Sequence, residues 1–217
     1  MKYKCLVVDH DDTIVNSTAT IHFPSFELYM REKRPEIRMT LDEYFALNFE
    51  PGVVALFRDI CGLSEEEFKE EEAFWAAYTA QHIPEAYPGI KEILWEFKKQ
   101  GGLICVDSHS FSKYIRRDYE HNGLPEPDLI YGWDLEPEKR KPAPWTLFEI
   151  EKKFGLKPEE MLVLDDLKPG YDMAKDAGVP FAAAGWANDV PQIERFMREN
   201  CDRYFKTVKE FGEYLLG

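Results

Sequence analysis

The chain is short of positive charge. Its 217 residues hold 27 Lys and Arg against 41 Asp and Glu, a formal net charge of −14. A surface of that sign repels nucleic-acid backbones and anionic lipid headgroups, so neither is expected as a partner. Cysteine is scarce as well. Cys5, Cys61, Cys105 and Cys201 form no CxxC pair and no Cys/His group with zinc-ligand spacing. Cys5 and Cys105 lie inside apolar runs, where a thiol behaves as a small buried hydrophobe. Reduced thiols of this kind predict a cytoplasmic protein. No apolar run is long enough to span a bilayer, and the one in "MKYKCLVVDHDD" is too short for a signal peptide. Internal repeats and low-complexity segments are also missing.

What is present is a globular balance: 44% hydrophobic and 31% charged residues, enough for one domain or a domain plus an insert. Five short apolar runs read as strands: Tyr3–Asp9, Leu103–Ser108, Leu129–Gly132, Met161–Asp165 and Phe181–Gly185. The first, second and fourth are nearly continuous, as in a parallel sheet buried on both faces. Helical periodicity follows at Ile90–Lys99, Trp145–Phe154, Asp172–Ala177 and Val208–Leu216. The alternation predicts a doubly wound α/β fold with a parallel, Rossmann-like sheet. From about residue 15 to about residue 86 the pattern is helical only. This suggests an inserted helical domain, 15–86, within a core made of 1–14 and 87–217. Ser64 followed by Glu67 reads as a capping box, and the glutamate run behind it as a solvated face.

In an open α/β sheet, ligand groups gather beyond the carboxyl ends of the strands. After the first strand come Asp9, Asp11 and Asp12. Residues two apart on an extended chain share a side, so Asp9 and Asp11 would face one pocket and His10 would turn away. After the second come Asp107, Ser108, His109 and Ser110, a hydroxyl and backbone N–H groups able to hold an anion. After the third comes Lys141 in "KPAP", a rigid turn that can aim a cation at a phosphate. After the fourth come Asp165 and Asp166, which are costly to bury unless paired or bound to a metal, and whose oxygens suit Mg²⁺. Taken alone, the first loop reads equally well as a helix cap, the second reads better as a cap and the third better as an exposed basic turn, and Asp166 in the fourth can also be read as a cap. Acid, hydroxyl, lysine and acid in that order make the set that phosphoryl chemistry needs.

The order resembles the haloacid dehalogenase-like superfamily of aspartate-nucleophile phosphohydrolases. "DHDDT" is similar to its first motif, "ICVDSHS" to the second, "KPAP" to the third and "VLDDLKPGYDMAKDAG" to the fourth. The helical insert, with "YPGIKEIL" returning to the core, resembles the branch whose caps follow the first motif, which includes phosphoglycolate phosphatases and β-phosphoglucomutases. The resemblance implies that Asp9 attacks phosphorus and that Asp11 is the general acid and base. It implies that Mg²⁺ is held by Asp9, the Asp11 carbonyl and Asp166, with Asp165 alongside, and that Ser108 and Lys141 bind phosphoryl oxygens. His109 is a further donor candidate. The substrate would be a small phosphorylated metabolite and the protein a monomer or homodimer.

Two positions depart from the family pattern. Asp12 fills a glycine slot, where it is expected to face solvent or cap the next helix. Asp107 competes with Ser108 for the hydroxyl slot, and Ser108 is preferred because Asp107 would add an anion beside phosphate. Hinges are expected near Ile14–Ser17 and Glu85–Gly89. Among the insert's cations, Arg58 is the candidate for contacting an anionic leaving group, with an ordinary surface arginine as the simpler reading. Trp75 and Tyr78 are read as cap core. A phosphomutase and a catalytically weak binding relative are the alternative functions.

Overall fold

The structure is a computed structural model and describes residues 2–217. Six strands, β1 (Cys5–Val8), β2 (Leu103–Asp107), β3 (Leu129–Tyr131), β4 (Met161–Asp165), β5 (Phe181–Ala184) and β6 (Arg203–Phe205), form one sheet in the order β3-β2-β1-β4-β5-β6. Every neighbouring pair is parallel. β1 lies between β2 and β4, with Leu6 opposite both Ile104 and Leu162. Helices cover both faces, which is why β1 and β4 are apolar without alternation.

Ten α-helices accompany the sheet among the described residues. In the insert these are α1 (Phe23–Lys33), α2 (Leu41–Phe49), α3 (Val53–Ala55) and α4 (Glu65–Thr79). In the core they are α5 (Ile90–Lys99), α6 (Ser112–Asn122), α7 (Trp145–Phe154), α8 (Lys168–Ala177), α9 (Pro191–Asn200) and α10 (Val208–Leu216). Leu6 and Val8 point to the face covered by α5, α6 and α10, where they meet Phe97, Ile115 and Phe211. Cys5 and Val7 point to the other face, where α7, α8 and α9 bring Leu147, Met173 and Ile193.

Three core elements escape a reading of periodicity. β6 has three residues and sits at the sheet edge, too short to show a pattern. α6 and α9 bury few apolar residues among many charges, such as Tyr114, Ile115 and Tyr119 in α6. α8 also starts four residues earlier than expected, at Lys168, because Pro169 is tolerated in a first turn. Gly170 in that turn has no substitute: a Cβ there would lie 2.1 Å from Asp165 Oδ2.

The insert has its own apolar cluster, including Phe26, Met30, Tyr44, Leu56 and Phe57. α4 is closed by the expected capping box, with Glu67 N donating to Ser64 Oγ and Ser64 N to Glu67 Oε2. The two connections to the core run side by side, with Asn16 N donating to Glu85 O and Tyr87 N to Ile14 O, both at 2.9 Å. α2 reaches down to the core, where Phe49 packs edge-on against Phe196 of α9. The glutamate run is not uniformly solvated. Glu65, Glu66 and Glu70 are exposed, but Glu71 lies on the inward face of α4 and is buried. No helix is long and apolar enough to cross a membrane among the described residues.

Candidate active site

The carboxyl ends of β1 and β4 and the "KPAP" turn converge. Lys141 Nζ donates to Asp9 Oδ1 at 2.8 Å and to Asp165 Oδ2 at 2.6 Å, and all three residues are buried. Asp165 Oδ1 accepts from Leu167 N at 2.8 Å, so both of its oxygens are engaged. Asp166 Oδ1 accepts from Thr13 Oγ1 at 3.4 Å, while its buried Oδ2 has no partner. One oxygen from each of Asp9, Asp165 and Asp166 falls within 4.8 Å of the others. Burial opposes the charge of Lys141, but Asp165 and Asp9 outweigh it and raise its pKa. Two carboxylates are bonded to that one ammonium, and Asp166 lies beside them without a bond to it. Burial and the neighbouring acids therefore push Asp9 and Asp166 well above the usual carboxylate range.

Asp11 has a different environment. It accepts from Ser17 Oγ (2.7 Å), His22 Nε2 (2.9 Å) and Ser110 Oγ (2.5 Å), with Ser108 Oγ at 3.4 Å. Burial works against its ionisation, yet His22, with help from Ser110, holds its pKa below the ordinary value. His22 Nδ1 accepts from the Trp75 indole N–H at 2.9 Å. That bond requires an unprotonated Nδ1, so the proton sits on Nε2, aimed at Asp11. Burial disfavours a charged imidazole and Asp11 favours one, with the net pull upward. A second proton would still have to displace the indole bond. His22 was not singled out from sequence; Ser17 was named only as the end of a hinge and Ser110 only within the loop after the second strand. Ser17 and His22 lie in and just beyond the expected hinge, and only the π-helical turn Thr18–His22 swings the imidazole back to Asp11.

The other expected residues sort by geometry. Ser108, not Asp107, stands beside Asp11; Asp107 turns beneath the site, where Thr146 Oγ1 donates to it. His10 faces away, 3.1 Å from Asp118 on the α6 side. His109 lines the cleft, 3.1 Å from the Lys141 carbonyl, and burial and Lys141 hold its pKa down to about 4. Asp12 takes the left-handed φ of 58° that its slot demands. It is buried rather than solvent-facing and accepts from Thr18 N at 3.1 Å, the capping alternative. Arg58 is not on the cleft; its side chain is 41% exposed and pairs with Glu65 at 2.7 Å. Trp75, expected within the helical layer, forms part of the cleft wall, whereas Tyr78 stacks on His82 away from it.

The cleft between sheet end and insert opens to solvent and leaves about 130 Å³ for the centres of water-sized molecules. Its floor is Asp9, Asp11, Asp165, Asp166 and Lys141; its upper walls include Tyr44, Phe57, Phe68, Trp75 and Trp133.

A family model described as haloacid dehalogenase-like hydrolase matches residues 6–184, most of the chain, and the protein belongs to that family. The chain is 31% identical over 101 residues to a phosphoglycolate phosphatase of Vibrio vulnificus, a match spanning 46% of this chain and 44% of that protein. The chain thus spans less than half the length of this relative and of two further Vibrio phosphoglycolate phosphatases that it matches. A phosphoglycolate phosphatase of Pseudomonas savastanoi is 25% identical over 84% of this chain and 70% of its own length. Among solved structures, a conserved haloacid dehalogenase-like protein from Agrobacterium tumefaciens superposes with a TM-score of 0.75 at 17% identity, over 99% of this chain and 98% of that one. At that identity the likeness is one of fold.

Proposed function

We propose that the protein is a Mg²⁺-dependent phosphatase acting on a small phosphorylated metabolite in the cytoplasm, through an aspartyl-phosphate. The observation that carries this reading is the convergence of Asp9, Asp165 and Asp166 around Lys141. An oxygen-only donor set with an unpartnered buried oxygen on Asp166 fits Mg²⁺, which Asp9, Asp166 and Asp165 would hold. When bound, the ion neutralises phosphoryl charge and lets a carboxylate approach an anion.

Asp9 attacks phosphorus, forming an O–P bond as the bond to the leaving oxygen breaks. Asp11, ionised in the free protein, takes up the proton of the monoanionic phosphate ester, passes it to that leaving oxygen, and then takes one from the water that hydrolyses the aspartyl-phosphate. Lys141 and Ser108 bind phosphoryl oxygens; His109, neutral at physiological pH, gives its one N–H to the Lys141 carbonyl and would reach phosphate as a donor only by exchanging that bond. Ser17, Ser110 and His22 hold the Asp11 carboxylate in place. The helical insert acts as a cap that excludes water during the first step, with its hinges at the paired connections. A phosphomutase would have to seat a second phosphate in the upper cleft. There the lining charges are Glu71 and Glu72, and that favours water as the acceptor.

The test is phosphate release from p-nitrophenyl phosphate and a metabolite panel, with and without Mg²⁺. The wild type is expected to release phosphate only with the ion. Asp9→Asn is expected to lose at least about 10³-fold in kcat with its fold retained by circular dichroism. Undiminished release by that variant would end the reading.

A further inference from the structure

One buried acid in the cleft takes no part in this chemistry. Phe68, Glu71 and Trp75 follow one another at helical spacing along the inward face of α4, and all three line the cleft. Glu71 is only 6% exposed, yet it makes no hydrogen bond or ion pair with any described residue. Its neighbour Glu72 lines the same cleft and accepts from the Trp133 indole N–H. Its carboxyl opens into the cleft while the rest of the side chain is buried, a setting that disfavours the charged form until a counter-charge arrives. Burial, with Glu72 adding to it, pushes Glu71 up to about 8.

The cleft offers Glu71 no cation of its own. Lys141, the lysine on the cleft, is committed to Asp9 and Asp165. His22 is committed to Asp11 and Trp75, and His109 is neutral. The walls near the helical end, Tyr44, Phe57, Phe68 and Trp75, offer aromatic faces that attract cations. Resting on the phosphatase reading above, we propose that the substrate's leaving group carries a protonated amine, which Glu71 receives. A carboxylate in that place would meet two glutamates and no cation, so the reading also turns away from phosphoglycolate itself. A polyol could bond Asn48 or Thr18 but would bring no charge to answer Glu71. The amine arrives charged, and Glu71 releases its proton to solvent as the pair forms.

Four esters of matched length test this: 3-aminopropyl, butyl and 3-hydroxypropyl phosphate, and the phosphate ester of 3-hydroxypropanoate. The wild type is expected to favour 3-aminopropyl over butyl phosphate by at least about tenfold in kcat/KM, with the carboxylate ester slowest. Glu71→Gln, nearly isosteric and checked by thermal melt, is expected to bring the aminopropyl-to-butyl ratio close to one, chiefly through KM. Glu71→Asp is expected to restore part of the ratio. A wild-type ratio near one, faster hydrolysis of the hydroxyl or carboxylate ester, or a ratio that survives Glu71→Gln would each overturn the proposal. If butyl phosphate is hydrolysed in an Asp9-dependent way without any amine preference, this inference alone fails. If no ester yields Asp9-dependent phosphate, the phosphatase reading fails and this inference with it.

Discussion

Two sets of buried acids line one cleft under opposite rules. At the sheet end, Asp9 and Asp165 share Lys141, and Asp11 accepts from two serines and a histidine. At the helical end, Glu71 stands unpaired among aromatic rings. The first set is organised before any ligand arrives, as electrostatic preorganisation requires. The second is incomplete until something binds. In the proposed reading, chemistry falls to the strand ends and selectivity to an inward helix face.

The largest effect should come from the preorganised end. Lys141→Met removes the cation that Asp9 and Asp165 share. We expect kcat to fall by about 10³-fold and stability to fall by about 3–5 kcal/mol, the usual outcome when one partner of a buried ion pair is deleted. Denaturant unfolding and single-turnover assays read both, and a stable, active variant would show that the lysine is not the keystone of that end.

His22 asks whether the insert reaches into the chemistry. His22→Ala removes the Nε2–H that holds Asp11, and kcat should drop roughly tenfold to a hundredfold, with KM less affected. A change confined to KM would make His22 a wall of the cleft rather than a positioning residue for the acid.

Glu71 gives the reverse effect on stability. Its pKa is pushed from 4.5 to about 8 in the folded chain. Between those values the native state holds a proton that the unfolded state has released, so stability falls as pH rises from about 4.5 through 8. Glu71→Gln removes this dependence. It should melt higher than the wild type by roughly a few degrees at pH 8.5, with the gap closing toward pH 4. An equal gap at both pH values would argue against a buried, unpaired acid.

The smallest effect is expected at Asp12→Gly. Glycine relieves the left-handed backbone but loses the bond to Thr18 N, two contributions of about 1 kcal/mol each that nearly cancel. Turnover should change less than about threefold. A loss beyond tenfold would mean that Asp12 takes part in the chemistry.

Much of the core was legible. Asp9, Asp11, Lys141, Asp165 and Asp166 follow apolar runs, and a parallel sheet brings consecutive strand ends to one edge whatever the loops do. β6, α6 and α9 were not legible, because a three-residue edge strand and charge-rich helices carry weak periodicity. Arg58 shows the limit for side chains: its charge was visible, but its pairing with Glu65 on the outer surface was not. Trp75 and Glu71 show it again, since hydrophobicity placed the tryptophan in a core and acidity placed the glutamate in water.

By itself the sequence determined the parallel sheet, the helical insert and the order of acid, hydroxyl, lysine and acid along the strand ends. These follow from local periodicity and from the alternation of side chains on a strand. Only the tertiary structure decided that Ser17, Ser110 and His22 converge on Asp11 and that Glu71 faces the cleft unpaired. Those contacts depend on how far the π-helical turn rotates His22 and on which face of α4 the insert turns inward. Both are set by packing between elements far apart in the chain.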